Sequence, residues 1–185
     1  MIEKLNDLYI SLDCLFQGIN NTCQECQYDK CSGYVWLLEE ESEMLYEKGI
    51  EIVQINNDLF FFNSFDTKDG GLDIEQFKPR CPFWKKEACS IYEIRPLSCR
   101  MYPLNFALED GMLKLVLHMD CLFSERKFQE TSLIKDSLSI FNQIDRNLLK
   151  SILSTYLKVI KISKFPKGDN NYTVIDVFKG DRNYV

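Results

Sequence analysis

The chain is poor in the residues and motifs that announce an enzyme. It has one histidine, His118, in 185 residues. It contains no H-E-x-x-H, no G-x-G-x-x-G, no P-loop and no nucleophile elbow, so the usual signatures of zinc-protease, dinucleotide, nucleotide and serine-hydrolase chemistry are missing. The C-x3-C-x2-C arrangement of radical enzymes is missing too. No uninterrupted apolar stretch is long enough to span a bilayer. Met1-Ile2-Glu3-Lys4-Leu5-Asn6-Asp7 does not read as a basic leader followed by an apolar run, so a cytoplasmic protein with no membrane partner is expected. Positive charge is in deficit as well. The net charge of -6 has the wrong sign for nonspecific capture of nucleic acid, and no nucleic-acid partner is expected. No internal repeat or low-complexity linker divides the chain. With 45% hydrophobic and 13% aromatic residues it can bury one substantial core, and a single domain over residues 1–185 is expected.

What the chain does have is thiol. Cys23, Cys26 and Cys31 form one batch and Cys81, Cys89, Cys99 and Cys121 a second, with Cys14 apart. In a reducing compartment eight cysteines are not a disulfide framework, which favours metal ligation or redox chemistry. Thiolate is a soft anionic ligand, and the metals that prefer it need several sulfurs to converge. Cys23-Gln24-Glu25-Cys26 is the shortest loop that turns two sulfurs inward, and Cys31 follows within reach of a third bond. In the second batch Cys81 precedes Pro82, Cys99 follows Arg95-Pro96, and Cys121 ends a hairpin. Proline beside a ligand cysteine removes an amide donor and stiffens the loop.

The pattern of apolar residues predicts an α+β fold with short antiparallel hairpins, an N-terminal helix and a C-terminal helical segment. Residues 2–17 read as an amphipathic helix stopped by Gly18, with Cys14 roughly opposite the apolar stripe. Residues 20–33 have no period and suit a ligand-bearing loop. An acidic helix over residues 38–48 is stopped by Gly49. Ile50, Ile52 and Ile55 face residues 59–62 in a hairpin across Asn56-Asn57-Asp58, and Asp69-Gly70-Gly71 turns into a short strand over 72–77. A second hairpin closes on Asp110-Gly111 and brings Cys99 and Cys121 to one open end. In the tail Ile134, Leu138, Phe141 and Ile144 mark one helix, Leu148 to Ile160 a stronger one, and residues 172–178 a final strand. Between Ser124 and Lys167 nine basic residues face four acidic ones, which reads as a lysine-rich solvated helix face.

Cys81-Pro82-Phe83-Trp84 followed by Cys89-Ser90-Ile91-Tyr92-Glu93-Ile94-Arg95-Pro96-Leu97-Ser98-Cys99-Arg100-Met101-Tyr102-Pro103 resembles the YkgJ-type cysteine-cluster family, described as a zinc- or iron-chelating domain. With the leading and trailing cysteines the resemblance covers residues 20–123 as a metal-binding core, leaving 124–167 as a helical extension. It implies zinc or iron held by Cys23, Cys26, Cys31, Cys81, Cys89, Cys99 and Cys121. Because the family includes flagellin lysine methylases, protein lysine N-methylase-like activity is one implied alternative. The chain departs from the family pattern where Cys31 is followed by Ser32 instead of a second cysteine.

Two partitions of the sulfurs stay open. Cys81, Cys89, Cys99 and Cys121 complete one site while the first batch holds another, its fourth position filled by His118, Cys14, water or substrate; or ligands from both batches mix around one cluster. An iron-sulfur cluster, 4Fe-4S among the options, is favoured over zinc because it better explains more than four cysteines and the cysteine-proline step. A structural zinc-binding interaction module is the alternative. Arg95 and Arg100, with Arg80, would stabilise the negative core of such a site or bind an anionic substrate, unless they pair with Glu87 and Glu93. His118 is more simply a hydrogen-bonded residue at a strand end than a ligand, and Tyr92 and Tyr102 more simply wall the site than move protons. Cys23 and Cys26 lack the buried strand that precedes a thioredoxin-like dithiol. The partner is a protein or small molecule that the sequence does not identify.

Overall fold

Gly18, at φ +86°, breaks the first apolar stripe into two helices. In the computed structural model, which describes residues 1–25, 35–62, 81, 83–85, 88–128, 132–162 and 171–178, α1 runs Leu5–Leu15 and α2 runs Ile19–Glu25. α1 buries Leu5, Leu8, Tyr9 and Leu12 on one face and leaves Cys14 exposed on the other. The second helix corrects the expectation of an aperiodic loop from residue 20. Ile19 is buried and Cys23, one turn later, packs against the same core, so two contacts four residues apart suffice to order a short helix.

β1, Trp36–Leu37, leads into the acidic helix α3, Glu39–Glu47, which ends before Gly49 at φ +76°. β2, Ile52–Ile55, and β3, Leu59–Phe62, form the expected hairpin, with Asn56 and Asn57 both at positive φ in its loop. Asparagine tolerates that region better than most side chains. The sheet order is β1-β3-β2. The turn expected at Asp69-Gly70-Gly71 and the strand over 72–77 lie outside the described residues. A two-residue pair, β4 at Trp84–Lys85 and β5 at Ala88–Cys89, a 3-10 turn at Tyr92–Ile94 and the five-residue helix α4, Leu97–Met101, follow.

β6, Leu104–Glu109, and β7, Met112–His118, pair in register through Asp110 and Gly111, both at positive φ, as a two-residue turn of matching twist requires. α5, Leu122–Lys127, α6, Ser132–Gln143, and α7, Arg146–Ile162, build the tail, and β8, Tyr172–Phe178, returns to pair antiparallel with β7. The fold is therefore α+β with short antiparallel sheets, as the sequence predicts. One apolar core joins α1, α4, β6, β7, α6 and α7. Ile2 locks the start of the chain to the α6–α7 junction: its N–H bonds Gln143 O at 2.6 Å and its O accepts from Asp145 N–H at 2.8 Å. Phe141 and Ile144 are buried as expected, while the first half of the α6 stripe lies one residue from its expected place. Leu133, Ser137, Phe141 and Ile144 are buried, whereas Ile134 and Leu138 are half-buried; Ser137 can enter because its hydroxyl donates to Leu133 O at 2.7 Å. Among the described residues no helix is long and apolar enough to cross a membrane.

Candidate metal centre

A turn follows Cys81 and is closed by Trp84 N–H on Cys81 O at 3.0 Å. The same turn aims two amides, of Phe83 and Trp84, at the Cys81 sulfur. Two N–H donors on one sulfur counter the charge of a thiolate, as they do at anion-binding backbone nests. Burial pushes the Cys81 thiol pKa up, the neighbouring Cys89 adds to the rise, and the two amides oppose it. That balance suits a sulfur waiting for a cation: a bound metal would replace the proton that burial favours. Cys89 reaches Cys81 because β4 and β5 close on each other, with Trp84 opposite Cys89 and Ser90 N–H on Phe83 O at 2.7 Å.

Three other ligand candidates, Cys23, Cys99 and Cys121, lie on elements linked to this hairpin by packing. α2, which carries Cys23, packs against β5 and against α5, whose N-cap is Cys121. Arg126 on α5 pairs with Glu25 on α2 at 2.8 Å, and Phe123 of α5 meets Phe16, the residue that caps the end of α1, edge-on at 5.9 Å. Cys99 sits on α4 and packs with Phe83, Ile91 and Ile94 around Leu37, Leu45 and Ile50. The β6–β7 register, with His118 N–H on Pro103 O at 2.9 Å, brings α4 and Cys121 to the open end of the hairpin. Once there the two cysteines enter different clusters: Cys121 is buried in the main core and Cys99 belongs to the small one. Cys23, Cys81, Cys89 and Cys99 are half-buried, Cys121 is buried and Cys14 is exposed. Cys26 and Cys31 lie outside the described residues. Among the described residues no three Cys, His, Asp or Glu side chains form a group able to hold a metal ion.

Arg95 and Arg100 converge on Asp13 of α1, and Arg80 lies outside the described residues. Arg95 reaches it at 3.1 Å, bonds Tyr92 O at 3.0 Å and stacks over the Tyr92 ring at 3.6 Å. Arg100 pairs with the same carboxylate and donates to Arg95 O and Glu93 O, each at 2.7 Å. Arg100 therefore meets Glu93 through its backbone carbonyl, and Glu87 lies outside the described residues. His118 stacks on Tyr102 with ring centroids 5.9 Å apart and meets Tyr172 edge-on at 6.2 Å. Its Nδ1 faces Asp120 at 3.8 Å and its Nε2 faces Asn105 at 3.5 Å.

Sequence reasoning missed Glu41. It is 1% exposed, and its carboxylate accepts from Tyr9 Oη, from Leu38 N–H at 2.8 Å and from Leu97 N–H at the start of α4. Burial pushes its pKa up, and the bonds from Tyr9, Leu38 and Leu97 oppose that rise. Burial, and then the Glu41 charge, push the Tyr9 phenol up in turn. The available signal was local: Glu41 stands three residues after Leu38, the position from which a glutamate folds back to cap the start of its own helix.

No curated protein and no solved structure matches the chain. A family model does match, over residues 21–121, and that span begins just before Cys23 and ends on Cys121, taking in all seven cysteines of the two batches. The match covers more than half of the sequence, so the chain belongs to the CxxCxxCC family, whose description is "putative zinc- or iron-chelating domain".

Proposed function

We propose that this chain is a thiolate metal-binding protein that holds an iron-sulfur cluster with sulfurs drawn from Cys23, Cys26, Cys31, Cys81, Cys89, Cys99 and Cys121. The observation that carries this reading is the Cys81 turn, where two backbone amides meet a half-buried sulfur beside a second cysteine. A cation there neutralises charge that burial alone would penalise. Seven cysteines exceed the four that one closed zinc site consumes, which favours a cluster or more than one site. A cluster would supply electron transfer or, with an iron left open, a site for a modification reaction. The chain's own groups support this reading: α2, which carries Cys23, packs against β5, which carries Cys89, and against α5, whose N-cap is Cys121, while Arg100 follows Cys99 on α4 with its guanidinium on Asp13.

A structural zinc module is the second reading, favoured by Cys121 being buried in the main core, where a closed site would brace the fold. Elemental and sulfide analysis of protein purified without oxygen separates the two. A brown sample containing iron and acid-labile sulfide supports the cluster; colourless protein with stoichiometric zinc supports the module. A folded, freshly prepared chain with neither would remove both.

A further inference from the structure

α4 is five residues long, too short to hold itself, yet it carries Cys99. Each residue around that sulfur is tied to a distant element. Leu97 N–H bonds Glu41, Ser98 Oγ donates to Trp36 O at 2.8 Å, and Arg100 reaches Asp13. We propose that Glu41 is a positioning residue of the metal centre, fixing the first turn of α4 and through it the Cys99 sulfur before any metal binds. This rests on the metal-binding reading above.

The chemistry of the carboxylate supports this role. Glu41 gathers one donor from α1, one from the start of its own helix and one from α4. Three donors on one side chain require a group rich in acceptor positions, and a carboxylate with its two oxygens is that group. Glutamine has the same shape but a single acceptor oxygen, so its amide would turn N–H groups toward the N–H of Leu38 or toward Tyr9 and Leu97. A carboxylate that is 1% exposed is expensive to bury, and the Arg100 guanidinium approaches this network only across the Tyr9 ring, at 4.5 Å. A costly buried group kept at the junction of three helices fits a role in specifying their geometry better than one in raising stability.

The test uses the full chain, reduced, stripped of metal and titrated with Co²⁺, whose thiolate-to-cobalt absorption counts bound sulfurs. Wild type is expected to show those bands. Glu41→Gln should bind cobalt about 10- to 100-fold more weakly, the usual loss when a supporting group behind a ligand is removed, and should lose one sulfur's share of the absorption. Tyr9→Phe removes a different donor from Glu41 and leaves the bond to α4, so its cobalt spectrum should match wild type even where it melts lower. If Glu41→Gln melts lower but binds cobalt with wild-type affinity and spectrum, Glu41 is only structural and the inference is overturned. Should that variant not fold, hydrogen exchange of the Leu97 amide in metal-free wild type decides: protection supports the inference, and exchange as fast as in an open loop overturns it. A wild-type chain that shows no thiolate bands overturns the metal-binding reading itself, and this inference with it.

Discussion

The sheet β6-β7-β8 with its covering helices and the cysteine-bearing segment from β4 to α4 are stabilised by different means. The first is made of long elements: α7 has 17 residues, α6 has 12 and β7 has 7. Their inward side chains, Phe106, Leu115, Leu117, Ile152 and Leu153 among them, are almost wholly buried. The second is made of a strand pair of two residues each, a three-residue turn and a five-residue helix. Elements that short are marginal alone. Their cysteines are half-buried, and α4, which carries Cys99, has polar clamps reaching back to α1 and α3. The contrast teaches that apolar burial along long elements makes the first region, whereas the second adds long-range polar ties to the burial of Leu97 and Met101.

The largest expected effect tests the first half of that contrast. Phe106 is 2% exposed and meets Tyr156, Phe141 and Phe178 at 5.2, 6.0 and 5.9 Å between ring centroids. Phe106→Ala should cost about 3–5 kcal/mol in urea unfolding, and the same amount with and without metal. A cost that depended strongly on metal would show that the two regions are not separately stabilised. Next comes Cys99→Ala, which should lose metal and the stability that metal confers, about 2.7 kcal/mol when free metal stands at 100 times its dissociation constant. Metal content and melting with and without chelator check it. Unchanged values in both would take Cys99 out of the ligand set.

A subtler test uses pH and Glu41. Burial raises its folded-state pKa, so between the ordinary glutamate value, about 4.3, and that raised value the folded chain holds a proton that the unfolded chain has lost. The stability this group contributes is therefore fully present below the ordinary value and is lost as pH rises through the folded one. Glu41→Gln does not titrate. The difference in unfolding free energy between wild type and this variant should fall as pH rises across that window, which urea melts at a series of pH values would show. A difference that stays flat, or grows with pH, would mean that the Tyr9, Leu38 and Leu97 donors outweigh burial.

The two regions were not equally legible in the sequence. Periodicity reports burial, so α1, the β2–β3 and β6–β7 hairpins, α7 and β8 could be read from their apolar spacing and from Asn56-Asn57 and Asp110-Gly111. It placed Phe141 and Ile144 correctly but misplaced the first half of the α6 stripe by one residue, because Ser137, a polar side chain, is buried there through its own bond to Leu133 O. It missed α2 because seven residues with only Ile19 and Cys23 facing inward carry too little pattern. The cysteine motif pointed to the family, while the clamps stayed invisible: Asp13 meets Arg100 across 87 positions and Glu41 meets Leu97 across 56. Long-range polar pairing leaves no local signature.

The smallest effect sharpens the contrast most, because it makes the same chemical change in the other region. Cys14 is exposed on the outer face of α1, one residue from the Asp13 carboxylate that receives Arg95 and Arg100. Cys14→Ala removes a thiol that packs against nothing in the core and replaces it with a better helix former, so stability should move by no more than about 0.5 kcal/mol, toward greater stability if at all. Metal content should not change. Proximity to Asp13 makes this a strict control, since any disturbance of the clamp would pass through Arg100 to the residue beside it, Cys99. Loss of metal in Cys14→Ala, read by elemental analysis next to wild type and Cys99→Ala, would move Cys14 into the ligand set and make α1 part of the metal centre instead of its support.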